Sequence, residues 1–254
     1  RGLRPPSSLQ GLIFLMAYTY LDVTNEVLAR FNEVPLTSAN FASSRGFQTQ
    51  CKNAVNSAIR NINQREYAWP FNHSEAEITL VANQTRYALP TSTKLIDYNT
   101  FRLVPDTSKG ATGRKLTFID YKEYIEKYSD QEDTSDVGGK PTHVFRDPAN
   151  KYGLYPYPDD TYKIKFDFYT FPADLSAHGD VPSIPERFRH VIADGAVMYG
   201  YQFRGETTQY QLSLDRFDEG IKNMLGVLGN RHDYVRSTYI PRNNRFSFIN
   251  STVT

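Results

Sequence analysis

The side chains able to do acid–base, nucleophilic or metal chemistry are scattered through the 254 residues. The five histidines are His73, His143, His178, His190 and His232. None is spaced from another as metal ligands are, and the single cysteine, Cys51, falls on the apolar side of a helical pattern, typical of a core thiol. Phosphate-binding glycine loops, dinucleotide fingerprints, serine elbows and His-Glu-x-x-His motifs are missing from the sequence. The sequence therefore predicts no catalytic residue, no metal site and no cofactor.

The composition is that of a globular chain with an unusual share of aromatic residues. Lys and Arg number 29 against 28 Asp and Glu, a net charge of +1, whereas a nucleic-acid coat needs an excess of cations. The 18 Tyr and 16 Phe suit either a strand-rich core or extensive protein interfaces, and the sequence leaves both open. The longest apolar run, residues 12–17, is far shorter than the roughly 20 residues that span a bilayer, so we expect no membrane association.

Four stretches carry apolar residues at the spacing of an amphipathic helix. Pro35 ends the first, which is expected to bury Val34, and the third is expected to bury Phe203. The third begins at Ser183, whose spacing from Glu186 predicts a capping box. The predicted helices are residues 21–34, 47–66, 183–203 and 206–228.

The middle of the sequence predicts short strands. Asn83-Gln84 separates two strand-like runs that read as a hairpin, and Asp147-Pro148-Ala149-Asn150 separates two more. The clearest strand has Tyr162, Ile164, Phe166 and Phe168 on one face and Lys163, Lys165, Asp167 and Tyr169 on the other. The predicted strands are residues 78–82, 85–89, 101–104, 116–118, 142–146, 152–155 and 162–169, with loops at 106–113 and 129–140.

This order predicts an α+β fold, in which the terminal helices pack as an α-helical bundle around a central antiparallel β module. The expected divisions are an N-terminal extension at 1–17, the first part of the bundle at 18–71, the β-rich module at 72–182, the second part of the bundle at 183–230 and a C-terminal docking tail at 231–254.

The tail has no helical period and carries four arginines against one aspartate, a net charge of +3. Aromatic residues alternate with those arginines, a combination enriched where proteins dock onto partners. The predicted docking residues are Arg236, Tyr239, Arg242, Arg245, Phe246 and Phe248.

Several short motifs resemble the head-to-tail adaptor (connector) proteins of tailed phages, including the tail tubular protein A family of short-tailed phages. The resemblance covers about residues 18–229 and leaves out the first 15 residues and the tail. The motifs that carry it are NEVPLT at 32–37, WPF at 69–71, LYPYPD at 154–159, FPADLS at 171–176 and IPERF at 184–188.

The resemblance implies a structural virion protein of the portal vertex, assembled in the host cytoplasm. It implies a homo-oligomeric ring of twelve copies beneath the portal protein, with tail or nozzle proteins attached below. The bundle would form the ring and the β module would face the tail proteins. The arginine and aromatic pattern of residues 231–254, which the resemblance does not cover, motivates the separate hypothesis that this segment reaches the portal. Genomic DNA would pass through the bore without sequence-specific binding.

Two other functions compete with the adaptor hypothesis. A single-stranded nucleic-acid-binding protein could use the strand at 162–169 as a stacking platform flanked by Lys163 and Lys165. A carbohydrate-acting tail enzyme would draw on the abundant aromatic residues and carboxylates.

Overall fold

The computed structural model describes residues 18–129 and 138–229. Its helices are α1 (Tyr20–Arg30), α2 (Phe47–Arg65), α3 (Tyr121–Lys127), α4 (Arg189–Arg204) and α5 (Thr207–Leu228). Its strands are β1 (His73–Thr79), β2 (Arg86–Ala88), β3 (Thr93–Ile96), β4 (Arg102–Leu103), β5 (Arg114–Lys115), β6 (Thr117–Ile119), β7 (His143–Asp147), β8 (Lys151–Tyr155) and β9 (Lys163–Thr170). The predicted α+β fold class is confirmed.

Helix α4 lies at the centre of the helical bundle and packs against α1, α2 and α5. The helices approach closely at Gly195, where a Cβ atom would lie 2.6 Å from the Phe217 ring and 2.9 Å from the Cβ of Ala58. Both neighbours are fully buried. The apolar sides of the helices therefore meet in one core, as the amphipathic patterns predict.

Helix α1 is shorter than its pattern predicts. A capping box formed by Thr19 and Asp22 starts it, and it ends at Arg30 because the backbone of Asn32 turns into the left-handed region with φ of 55°. The side-chain amide of Asn25 then holds the backbone of Leu36 through bonds of 2.7 and 2.9 Å, which returns the chain to the core. The expectation that Val34 is buried in the helix is wrong, since its side chain is 71% exposed.

Helix α4 also differs from its prediction at both ends. A 3-10 turn at Glu186–Phe188 precedes it, and Phe188 stands at its N-cap, so the capping box predicted from Ser183 does not form there. Phe203 lies in its last turn and is 61% exposed, which corrects its predicted burial. Gly205 ends the helix in the left-handed conformation with φ of 76°, as its position predicts.

The strands form two sheets. The first has the order β1-β9-β4-β5, with β3 also pairing β9, and the second has the order β2-β8-β7-β6. Every pair is antiparallel except β6 with β7, which is parallel. The prediction of an antiparallel module is wrong for that pair, because α3 lies in the connection between its strands and a helical connection allows a parallel return.

One predicted hairpin forms and the other does not. The runs around 147–150 pair directly as β7 and β8, with Asp147 opposite Lys151. The chain turns at Asn83-Gln84, but the strands on either side do not pair with each other. Strand β1 pairs with β9 in the first sheet, and β2 pairs with β8 in the second. That hairpin prediction is wrong, because each strand buries its apolar side against a distant partner.

Aromatic rings fill the space between the two sheets. Phe101 stacks on Phe166 at 4.3 Å, and Tyr152 meets both rings at 5.4 and 5.5 Å. Beside them, Tyr124 of α3 stacks on Phe145 at 3.8 Å. Of the two explanations offered for the high aromatic content, the structure therefore confirms the strand-rich core.

The helical core and the β core meet at the carboxyl end of α2. Lys94 of β3 donates its ammonium to the carbonyl oxygens of Asn63 and Glu66, the second at 2.6 Å. Asn63 accepts a hydrogen bond from the buried amide of Asn72, whose carbonyl in turn accepts one from Thr170 at 3.2 Å. This polar junction, defined as these five residues, ties the end of α2 to the first sheet.

Candidate functional site

The described histidines and the cysteine do not form a reactive centre. His143 bonds to Thr142 at 2.6 Å, and the pKa of its imidazole is lowered by burial and by Arg114. Cys51 is buried, and burial raises the pKa of its thiol to about 12, which keeps it protonated and confirms an inert core thiol. Within residues 18–129 and 138–229, no group of three or more His, Cys, Asp or Glu side chains is placed to hold a metal ion.

None of the helices in the described ranges has the length and apolar character needed to cross a membrane.

The strand considered as a nucleic-acid platform has its aromatic side inside the protein. Phe166 is fully buried and Phe168 is nearly so, and both belong to the core between the sheets. Bases could stack on these rings only if the two sheets separated. The aromatic surface that the single-stranded nucleic-acid-binding hypothesis requires is therefore buried.

The outer face of the first sheet is charged, and three of its cations pair with glutamates of the same sheet. Lys165 lies 3.1 Å from Glu77 and 3.3 Å from Glu75, and Lys163 lies 3.1 Å from Glu77. Arg102 of the neighbouring strand lies 3.1 Å from Glu75. Hydrogen bonds from the two lysines hold the pKa of the Glu77 carboxyl below its usual value. These cations are occupied by carboxylates of the same sheet and are poorly placed to attract phosphates.

A surface of exposed aromatic and apolar side chains lies at the end of the bundle away from the polar junction. We call it the distal surface and define it by Val34, Phe47, Phe203 and Arg204. Phe203 lies 6.2 Å from Phe47, and the Arg204 guanidinium covers the Phe47 ring at 4.1 Å. Arg204 also pairs with Glu33 at 2.7 Å. Exposed apolar groups of this kind mark contact surfaces.

A cavity of about 270 Å³ opens beside the distal surface, at the corner between α4 and α5. It is lined by Tyr201, Gln202, Gly205, Glu206, Thr207 and Tyr210. Its lining contains one carboxylate, that of Glu206, whereas glycoside hydrolysis ordinarily uses two on opposite sides of the scissile bond. This cavity therefore gives the carbohydrate-enzyme hypothesis no support.

The outward side of α5 is the longest exposed helix face in the described bundle. Leu212 and Val227 are 49% and 63% exposed on it. Asp215 accepts a hydrogen bond from Gln211 at 3.3 Å, and Glu219 and Lys222 are both exposed. This face therefore presents charges of both signs together with exposed apolar groups.

All six predicted docking residues of the tail lie outside the described residues, and so does His232. The sequence interpretation missed Tyr201 and Glu206, and it assigned Tyr210 only to the core-facing pattern of the last helix. No sequence signal marks these residues, because the cavity exists only once α4 and α5 fold back on each other at Gly205.

Broad charged and aromatic surfaces on a subunit with separate helical and β cores are suited to a protein that acts by contact with other proteins. The chain belongs to the SU10 adaptor protein family, whose model matches residues 18–242. This membership confirms the predicted resemblance to phage head-to-tail adaptors and indicates a structural virion protein of the neck that associates with other virion components. No curated protein matches the sequence.

The family match starts where the resemblance does but ends later. It continues beyond residue 229 and includes residues 230–242, which the resemblance had left out. The extent predicted for the resemblance is therefore too short at its carboxyl end. Arg236, Tyr239 and Arg242 fall inside the family match, and Arg245, Phe246 and Phe248 fall outside it.

Proposed function

We propose that this protein forms a ring of twelve copies below the portal, joins the portal to tail or nozzle proteins and lines the DNA conduit. The observation that carries the proposal is the adaptor family match, which spans the helical bundle and the β strands together. In this arrangement, the bundle, the β module and the tail predicted from the sequence each have a separate role. The bundle makes the ring, the β module faces the tail proteins, and the tail at 231–254 docks on the portal.

The exposed surfaces of the bundle support a ring. A ring subunit makes two different contacts with its neighbours, and for twelve copies each contact must impose a rotation of about 30°. The distal surface and the outward face of α5 supply exposed apolar and aromatic groups on different parts of the bundle. Such groups at the centre of a contact carry most of the energy of protein association.

The pairing of charges on the outer face of the first sheet supports the conduit role. Unopposed cations along a bore would hold phosphates by releasing their counterions and would slow the passage of DNA. Lys163, Lys165 and Arg102 are each within 3.3 Å of a glutamate of the same sheet, and the whole chain carries a net charge of only +1. A wall of this kind suits DNA that slides without being bound.

The composition of the tail supports docking on the portal. Arg236, Arg242 and Arg245 can each form paired hydrogen bonds with a carboxylate, a geometry that lysine cannot match. Tyr239, Phe246 and Phe248 add rings that bury large areas in an interface.

The proposal is tested by mixing the purified chain with portal rings encoded by the same phage and weighing the product by native mass spectrometry. We expect the portal ring to gain twelve chains of 29.1 kDa each. A variant lacking residues 231–254 should bind much more weakly, and a matched variant lacking residues 1–17 should bind as the full chain does. A portal ring that gains no mass from the full chain contradicts the adaptor function, and undiminished binding of the tail-less variant contradicts the portal contact.

A further inference from the structure

Strand β1 forms an open edge of the first sheet. It pairs with β9 along its whole length without a break in register, and it ends the strand order on that side. The backbone of Leu80 donates to Tyr162 at 2.7 Å, so every second residue before Leu80 also bonds toward β9. The backbone groups that point away from β9 belong to His73, Glu75, Glu77 and Thr79. No strand of the described ranges pairs with them.

The edge formed by β1 is long and regular. Sheet edges are ordinarily short, bulged or blocked by charges, because free backbone groups recruit other strands. The edge strands β2, β5 and β6 have three, two and three residues, whereas β1 has seven. The glutamates of β1 already pair with cations of the same sheet. These features favour the addition of a further strand beside β1.

The core under β1 is less well covered than the core under its neighbour. Ala76 and Ile78 pack against the core between the sheets but are only partly buried. Their partners on β9, Phe166 and Ile164, are fully buried. A further strand beside β1 would cover Ala76 and Ile78 and remove their apolar surface from water.

We propose that residues 245–251 of the same chain add to the open edge of β1 as an extra strand when the subunit is free. Their sequence, RFSFINS, has three residues that favour strands, one charge and no proline, a composition typical of segments that pair with strand edges. Phe246 and Phe248 are two residues apart and fall on one side of an extended chain. In either strand direction, one register places these two rings beside Ala76 and Ile78.

The starting point and the length of the tail allow this contact. Arg65 in the last turn of α2 pairs with Asp218, and α5 continues for ten residues beyond Asp218, about 15 Å. The tail therefore starts at the end of the bundle where α2 leads into β1. Gly229 and Arg245 are 16 residues apart, with a reach of up to about 53 Å, whereas β1 is about 23 Å long.

A second copy of β1 is a poorer partner for this edge. In an antiparallel pair of β1 strands centred on Ala76, Glu75 of each copy lies opposite Glu77 of the other. Like charges opposite one another destabilise a sheet. Residues 245–251 bring one cation and no carboxylate, and Arg245 shares the outer side with the two glutamates when the phenylalanines face the core.

This contact would also control when the tail reaches the portal, a consequence that rests on the proposed function. Phe246 and Phe248 are among the predicted docking residues, so a tail held on β1 withholds them from other surfaces. A portal ring would have to compete with β1 for these residues. The tail would then be released where a portal is present.

The test measures amide hydrogen exchange along β1 by NMR, with the full chain and without any portal. The amides of Glu75 and Glu77 should exchange about tenfold more slowly in the full chain than in a variant lacking residues 243–254, because the added strand supplies their acceptors. The amides of Ala76 and Ile78 bond to β9 and should be equally protected in both chains. Their protection also establishes that the shortened chain is folded.

Point variants of the full chain test the same contact without a deletion. Replacing both Phe246→Ser and Phe248→Ser removes the rings that cover the core and should speed exchange at Glu75 and Glu77 as the deletion does. The matched control Tyr239→Ser removes a ring from the same tail outside the added strand, and it should leave the exchange rates unchanged.

Three results would overturn the inference. The amides of Glu75 and Glu77 could exchange as fast in the full chain as in the shortened one, or their protection could persist in the shortened chain, which would mean that another segment covers the edge. Their protection could also be lost on tenfold dilution, which would mean that a second copy supplies the strand. Because no portal is present, protection that depends on Phe246 and Phe248 stands even if the portal mixing experiment fails.

Discussion

Replacing Gly195 by alanine is expected to destabilise the helical bundle. The added Cβ would lie 2.6 Å from the Phe217 ring and 2.9 Å from the Cβ of Ala58, and both are fully buried and fixed on other helices. Alanine favours a helix over glycine by about 1 kcal/mol, but overpacking a core costs about 1–3 kcal/mol, and here two neighbours must move. We expect the free energy of unfolding to fall by about 1–2 kcal/mol.

The matched substitution is Gly226→Ala, where the new Cβ would meet nothing within 4 Å. It should raise the free energy of unfolding by about 0.5 kcal/mol, since only the helical preference changes close to the end of α5. Urea unfolding of both variants, followed by far-ultraviolet circular dichroism, measures the two effects with opposite signs. A Gly195→Ala chain as stable as the parent would refute the close packing of α2, α4 and α5.

Three further predictions concern the core thiol, the polar junction and the sheet face. Because burial raises the pKa of Cys51 to about 12, its contribution to stability is full below the unfolded thiol pKa of about 8.5 and declines as the pH rises toward 12. Unfolding free energies measured between pH 8 and 10 should fall faster in the parent than in Cys51→Ala. Lys94→Met removes two charge-assisted hydrogen bonds, and the burial that lowers the pKa of this lysine offsets part of that loss. We expect the free energy of unfolding to fall by about 1–2 kcal/mol. The control Lys122→Met, at an exposed lysine, should leave the free energy of unfolding unchanged. Filter binding of single-stranded DNA should be weak in the parent and should strengthen in Glu77→Gln, which takes the carboxylate partner from Lys163 and leaves Lys165 with Glu75 alone. Tight, salt-sensitive binding by the parent would contradict the pairing of these cations within the sheet.

The helices were predictable because their signals are local. The pattern over residues 47–66 matches α2 to within one residue, and Gly205 and Gly229 end α4 and α5 as predicted. The strand at 162–169 was predictable for the same reason. Apolar Ile164 and Phe166 alternate with Lys163 and Lys165, which indicates a strand with one buried and one exposed side.

The errors arise where partners distant in sequence decide the structure. The turn at Asn83-Gln84 is visible in the sequence, but the pairing of β1 with β9 depends on a strand more than 80 residues away. Helix α3 was missed because it is only seven residues long and is held in place by Tyr124 on Phe145 rather than by its own pattern.

The candidate site was predictable only in part. The arginines and aromatic residues of the tail stand out in the sequence, but the cavity beside Tyr201 and Tyr210 depends on the corner at Gly205. Whether Glu206 is paired also depends on the fold, since a carboxylate without a cation nearby cannot be recognised from its neighbours in the chain.

The polar junction sets how uniform a face a ring of these subunits could present to the tail proteins. If the bundles make the ring contacts, a tilt of one β module relative to its bundle would move that module out of line with its neighbours without changing the closure of the ring. Lys94 and the Asn63–Asn72 bond limit this tilt by direct contact between the end of α2 and the first sheet. Angular precision in the assembled neck would thus be fixed within each monomer before any neighbour is met.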